Sequence, residues 1–83
     1  MKKDEIEKIV LEEISNIAPD ADVATLDPRE DLREAIDLDS MDMLNLVAAL
    51  HQRLGVDIPE ADAGNFVTLT GAVSYLLTHL NKS

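Results

Sequence analysis

The sequence contains no cysteine and no tryptophan, and Phe66 and Tyr75 are its only Phe or Tyr residues. The lack of cysteine excludes a disulfide framework, a thiolate metal site and a thiol nucleophile supplied by the chain itself. Two isolated aromatic rings offer no platform on which nucleic-acid bases stack. Bases are scarce too: 7 Lys and Arg stand against 17 Asp and Glu, a formal charge of −10 and a pI near 4.3. That sign repels phosphate backbones and anionic lipid, so neither nucleic acid nor a membrane surface is an expected partner. Nor is there a long apolar run. The longest, Leu46 to Leu50, is far too short to cross a bilayer, and the basic start at Lys2 and Lys3 leads into Asp4 and Glu5 rather than the apolar core of a signal peptide. The expectation is a soluble, cytoplasmic protein.

What is present points to one small domain, spanning 1–83. A chain of this size buries only about 60–65% of its unfolded surface, which makes a thin core with little room for an enclosed active site. The acids are unevenly placed. Met1 to Asp42 holds 14 acids and 5 bases, whereas Met43 to Ser83 holds 3 and 2. Hydrophobic residues make up 46% of the chain, too many for a disordered one.

Helical periodicity dominates. Ile6, Ile9, Val10, Ile14 and Ile17 recur at spacings of three and four and stop before Pro19. Asp4, Glu5 and Glu7 are placed in the first turn of that helix, where carboxylates complement the helix dipole. A second long helix is expected from about Ser40 to Leu54, with Leu44, Val47, Leu50 and Leu54 as its core stripe and Gly55 as a left-handed stop. A last helix starts after Thr68 as N-cap and carries Leu69, Ala72, Val73, Leu76, Leu77 and Leu80 on one face. Two shorter elements fill the gaps. Asp27-Pro28-Arg29-Glu30 reads as a cap followed by a proline at the first helical position, which predicts a short helix from Pro28 to about Ala35 burying Leu32 and Ile36. A further short turn is expected after Pro59, leading to Phe66 and Val67. No stretch alternates with period two for long enough to form a strand. The fold class is therefore all-α, a small antiparallel four-helix bundle of three longer helices and a short third one, with a long loop after helix one.

Among candidate functional residues, Asp37-Leu38-Asp39-Ser40-Met41-Asp42 is the most informative stretch. Ser40 lies where the long loop meets a helix N-terminus, so its hydroxyl is exposed and the helix N–H groups favour a phosphate attached there. The neighbouring carboxylates oppose a phosphate but suit the docking of a basic enzyme. That combination fits a serine modified by a visiting enzyme rather than one that attacks a substrate. Read by itself, Asp-Ser at a helix start is more commonly just a cap.

His51 falls at the edge of the core stripe and His79 near a helix C-terminus, and no local spacing joins them into a metal site or serine triad. Asp37-x-Asp39-x-x-Asp42 has three acids of a calcium loop but neither its glycine nor its terminal glutamate, so no metal site is expected. Glu12 and Glu13 read as a solvated face of helix one.

The segment Leu32-Arg33-Glu34-Ala35-Ile36-Asp37-Leu38-Asp39-Ser40-Met41, followed by a helix closing on Leu54-Gly55-Val56-Asp57-Ile58-Pro59, resembles the acyl carrier protein family, and the resemblance extends over nearly the whole chain. It implies that Ser40 carries 4′-phosphopantetheine, derived from coenzyme A, as a phosphodiester whose thiol holds acyl groups as thioesters. It also implies a non-catalytic monomer, a substrate of phosphopantetheinyl transferase that presents its cargo to acyl-loading and acyl-processing enzymes of a specialised fatty-acid, lipid or polyketide pathway. The missing cysteine then has an explanation, because the arm brings the sulfur. Small residues Ala48, Ala49, Gly71 and Ala72 would leave room for an acyl chain inside the bundle.

The resemblance places Asp39, Met41, Asp42 and Asn45 at the docking face beside the arm. Two departures stand out: Asp37 replaces a glycine usual in the family, and Met41 replaces a leucine. The outward face of the second helix (Met41, Asp42, Asn45, Ala48, Ala49, Gln52 and Arg53) holds one acid where the fatty-acid carriers have several, which implies a dedicated partner that reads a less charged surface. Two other readings stay open. An aminoacyl or peptidyl carrier shares the arm, and an acidic helical adaptor would use Ser40 only as a cap.

Overall fold

The computed structural model describes residues 2–80. Helix α1 spans Lys3–Ile17, α2 Leu32–Ala35, α3 Ser40–Leu54 and α4 Leu69–Leu80, with 3₁₀ segments at Val23–Thr25 and Glu60–Val67. The described residues contain no strand. In the bundle α1 packs on both α3 and α4, and the 3₁₀ helix Glu60–Val67 closes the gap between α3 and α4. That 3₁₀ helix is the expected short third element.

Burial follows the stripes read from the sequence in α1 and α4. Ile6, Val10 and Ile14 from α1 meet Leu69, Ala72, Val73 and Leu76 from α4, and Phe66 fills the space beneath the 3₁₀ helix. No polar or charged side chain is buried among the described residues. Asp4 and Glu5 occupy the first turn of α1 as expected, while Glu7 falls one turn later. Thr68 caps α4 by accepting from the Gly71 N–H at 3.0 Å. Gly71 is small for a packing reason, since a Cβ there would collide with the Asn65 carbonyl oxygen and lie 2.9 Å from Thr68 Oγ1.

The stripe of α3 is rotated from the one expected. Leu46 and Leu50 are fully buried, Met43, Val47 and Leu54 are partly so, and Leu44 is 55% exposed. Seven apolar residues, Met41, Met43, Leu44, Leu46, Val47, Leu50 and Leu54, surround this helix. More than one face therefore satisfies a three-four spacing, and packing against α1 and the 3₁₀ helix selects between them.

The long connection after α1 is more broken than expected. Asp27 Oδ1 does accept from the Arg29 N–H at 2.9 Å, and the Glu30 N–H donates to the Asp27 carbonyl at 3.1 Å. This turn ends at once. Asp31, in extended backbone, starts a separate one-turn helix by accepting from the Arg33 N–H at 2.9 Å, so α2 begins at Leu32 rather than Pro28. The Arg33 guanidinium bonds the same carboxyl at 2.7 Å and holds it below the usual carboxylate range. Leu32 is buried as expected, and Ile36 is half-buried just past the helix end. The Pro28 carbonyl accepts from the Thr70 N–H at 2.8 Å, strapping this loop across the start of α4.

Candidate functional site

The loop delivers the chain to α3 through two anchors. Leu38 is buried, which pins the loop to the core two residues before Ser40. Just ahead of it Asp37 adopts a left-handed backbone with φ 54°, a conformation that an L residue enters at a cost and that aspartate tolerates better than most. This is the position at which the resemblance expects glycine, and the geometry supplies the reason.

Asp39 then caps α3. Its Oδ1 accepts from the Asp42 N–H at 2.8 Å, and Asp42 Oδ2 accepts from the Asp39 N–H at 3.2 Å. The pair is a reciprocal capping box. Ser40 is the first helical residue and takes no part in it, which removes the reading of Ser40 as merely a cap. Its side chain belongs to an exposed residue at the start of a 15-residue helix, and the first-turn N–H groups of Ser40 and Met41 lie outside the capping bonds. A hydroxyl displayed there, with positive dipole and donor groups beside it, fits a phosphodiester. Among the described residues no histidine, lysine or arginine side chain hydrogen-bonds to the Ser40 hydroxyl.

The expected docking residues divide into two groups. Met41, 65% exposed, and Asn45 lie one turn apart on the open face of α3. Asp39 and Asp42 hold each other, and Asp42 is half-buried, so both have a structural duty. Leu44, whose spacing predicts a core position, instead joins Met41 on the surface. It lines a groove of about 640 Å³ with Val47, Ile58 and Ala63, and Asp57 and Glu60 stand on the rim.

The far end of α3 is closed by three features. Gly55 takes the left-handed conformation expected of it, with φ 68°. His51 Nδ1 lies 2.8 Å from the Val56 carbonyl oxygen; since a carbonyl only accepts, that ring nitrogen carries the proton. Arg53 reaches α1, where it bonds Glu13 at 3.2 Å and Glu12 at 3.3 Å. Glu12 and Glu13 are therefore ion-pair partners rather than a purely solvated face, and Arg53 is turned toward α1 rather than left free.

Of the small residues expected to leave room for a chain, Ala48 lines the groove, Ala72 is fully packed in the core and Gly71 sits against Asn65. The His79 ring lies against Tyr75, tilted by 45° with ring centroids 4.1 Å apart, and the Tyr75 hydroxyl donates to Asp62 at 2.8 Å. Among the described residues no three His, Asp or Glu side chains converge on a point that would hold a metal ion.

Comparison with known proteins bears on the same region. A family model for the phosphopantetheine attachment site matches residues 6–76. The acyl carrier protein of Campylobacter hominis is 32% identical over 80 residues, which cover 96% of this chain and 94% of that one. The acyl carrier protein of Campylobacter lari is 33% identical over 73 residues, 88% of each chain. The solved structure of acyl carrier protein from Enterococcus faecalis superposes with a TM-score of 0.80 at 24% identity, covering 95% of this chain and 99% of that one, a likeness of fold. No described helix is long and apolar enough to cross a membrane. With a helical bundle, an exposed serine at a helix start and a family match over most of its length, the chain belongs to the acyl carrier protein family, non-catalytic carriers with a covalently attached 4′-phosphopantetheine.

Proposed function

We propose that Ser40 is the attachment point of the phosphopantetheine arm and that the whole chain, 1–83, is one acyl carrier domain. Met1 and 81–83 of that span lie outside the described residues. The observation that carries the assignment is the division of labour at the start of α3: Asp39 and Asp42 close the capping box, and Ser40 is left exposed with its hydroxyl unused. The arm supplies a terminal thiol on which acyl groups ride as thioesters. The chain's own residues hold the attachment point still, Leu38 from the core side and the capping box from the helix side, and Ser40 gives up its hydroxyl proton to a base on the transferase. Asp39, Met41, Asp42 and Asn45 border the arm and form the surface over which phosphopantetheinyl transferase and the acyl-processing enzymes approach. The pathway is a specialised fatty-acid, lipid or polyketide synthesis in the cytoplasm, and the carrier works as a monomer.

The test is intact-mass measurement after incubation of the apo protein with coenzyme A and a broad-specificity phosphopantetheinyl transferase. The wild type gains one arm and Ser40→Ala gains none. An arm on Ser40→Ala would move the site elsewhere, and an unmodified wild type would leave an acidic helical adaptor as the better description.

A further inference from the structure

His51 stands in the last turn of α3, where its Nδ1 donates to the Val56 carbonyl at 2.8 Å. A neutral imidazole with its proton at Nδ1 carries its free lone pair at Nε2. Among the described residues Nε2 makes no hydrogen bond. The same side chain lines the groove between α3 and the 3₁₀ helix, together with Leu44, Val47 and Ile58. Its place relative to Ser40 follows from helix geometry. Eleven residues make three full turns and about 20°, so Ser40, Leu44, Val47 and His51 lie along one face of α3, and a rise of ~1.5 Å per residue sets His51 about 16 Å beyond Ser40. The two residues between them on that face are apolar, and from Met43 to Gln52 there is no Asp, Glu, Lys or Arg.

The reach of a phosphopantetheine arm matches this spacing. Roughly 14 bonds separate the serine oxygen from the terminal sulfur, and an extended chain advances by ~1.2 Å per bond, which gives about 16–17 Å. We propose that His51 is the base for the thiol of the arm attached at Ser40: with the arm laid along this face of α3, Nε2 takes the thiol proton. The inference rests on the reading of Ser40 as the attachment point. The S–H bond breaks, its proton goes to Nε2, the electron pair stays on sulfur, and the net charge is unchanged. The ring so charged keeps its Nδ1–H bond to the Val56 carbonyl and has the Asp57 carboxylate 4.0 Å from Nδ1. A chain without cysteine thus contributes the imidazole half of a thiolate–histidine pair and takes the sulfur from the arm. His79 does not serve, because it lies on α4 against Tyr75 and is not among the groove residues. The pair exists only in the unloaded carrier, since a thioester has no S–H proton to give. His51 therefore prepares the empty arm to accept an acyl group, and the loading enzyme need not bring a base for the sulfur.

The experiment follows alkylation of the arm thiol by iodoacetamide at neutral pH, in holo protein made with coenzyme A and a broad-specificity phosphopantetheinyl transferase and checked by intact mass. The variant is His51→Asn, whose side-chain amide can still donate to the Val56 carbonyl but has no counterpart of Nε2. It keeps Ser40 and so gains the arm. Lowering a cysteine-like thiol by about one pKa unit raises its thiolate fraction at neutral pH about eightfold, and the weaker intrinsic nucleophilicity takes back roughly a factor of three. Holo wild type is therefore alkylated about threefold faster than holo His51→Asn and loses about eight times as much thiolate absorbance in the reaction. His79→Asn matches wild type in both. In proton spectra the His51 ring signals move when the arm is attached, and those of His79 do not. Circular dichroism of His51→Asn matches wild type, because His51 is exposed. If wild type and His51→Asn carry the arm and react at the same rate, the inference about His51 falls and the assignment of Ser40 survives. Equal slowing in His51→Asn and His79→Asn, or His51 signals that stay put on attachment, overturns it as well. If the wild type gains no arm, the assignment of Ser40 falls and the inference about His51 with it.

Discussion

Asp37 offers the sharpest test of why this loop has the shape it does. It holds φ 54° between the end of α2 and the buried Leu38, so it decides the angle at which the chain reaches Ser40. An L residue in the left-handed region carries roughly 1–2 kcal/mol of strain, less for aspartate, and glycine carries none. Glycine returns part of that gain by giving the unfolded chain more freedom, a loss of about 0.5–1 kcal/mol. Asp37→Gly is therefore expected to stabilise the protein by only ~0.5 kcal/mol. Removing one acid from a chain of charge −10 adds a little in the same direction.

The comparison that isolates the backbone is Asp37→Ala. It removes the same charge but keeps a Cβ in the left-handed region, which alanine enters less readily than aspartate. Urea unfolding at matched salt should place Asp37→Gly about 1 kcal/mol above Asp37→Ala, with the same dependence on denaturant concentration. For a domain this small a difference of that size shifts the melting temperature by about 4–8 °C. Equal stabilities for the two variants, or a more stable Asp37→Ala, would refute the claim that backbone strain at this position is what a glycine relieves.

Two further expectations concern the core and the titration of the bundle. Leu46→Ala should cost about 2–5 kcal/mol, because Leu46 is fully buried, and Leu44→Ala no more than ~0.5 kcal/mol, because Leu44 is exposed; thermal or urea unfolding giving the opposite order would restore the stripe expected from the sequence. Burial first, and then the hydrogen bond to Asp62, push the Tyr75 phenol above its ordinary range. The folded state thus favours the neutral phenol. The associated stability is complete below the unfolded pKa of about 10 and is lost as pH rises through the higher folded value. Tyr75 is the single tyrosine and there is no tryptophan, so tyrosinate absorbance reports it alone. The midpoint should lie above that of free tyrosine and fall back in Asp62→Asn; a midpoint at or below the free value contradicts the half-buried hydrogen bond.

Helices α1, α3 and α4 were legible because each has punctuation that acts locally. Pro19 follows the end of α1, Gly55 ends α3 in the left-handed conformation, and Thr68 caps α4. The exposed serine was legible for the same reason, since it stands at a boundary set by its neighbours. The loop was harder. Asp27, Asp31 and Asp39 all have the chemistry of a helix cap, and a cap starts a helix only where the following residues find a core to pack against. Leu32 finds one and Arg29 does not, so α2 starts at Leu32.

Local rules acting over three or four residues sufficed to set where the chain turns helical and where Ser40 sits, because hydrogen bonding and caps are short-range. Which side of α3 faces inward was a matter for the assembled bundle, since Leu44 and Leu46 are equally apolar and only the surfaces of α1 and the 3₁₀ helix distinguish them. The same holds for Arg53, whose partners Glu12 and Glu13 are about forty residues away in the chain and come within reach only when α1 and α3 pack. Long-range contacts of this kind depend on the relative placement of helices, and no periodicity within one helix encodes it.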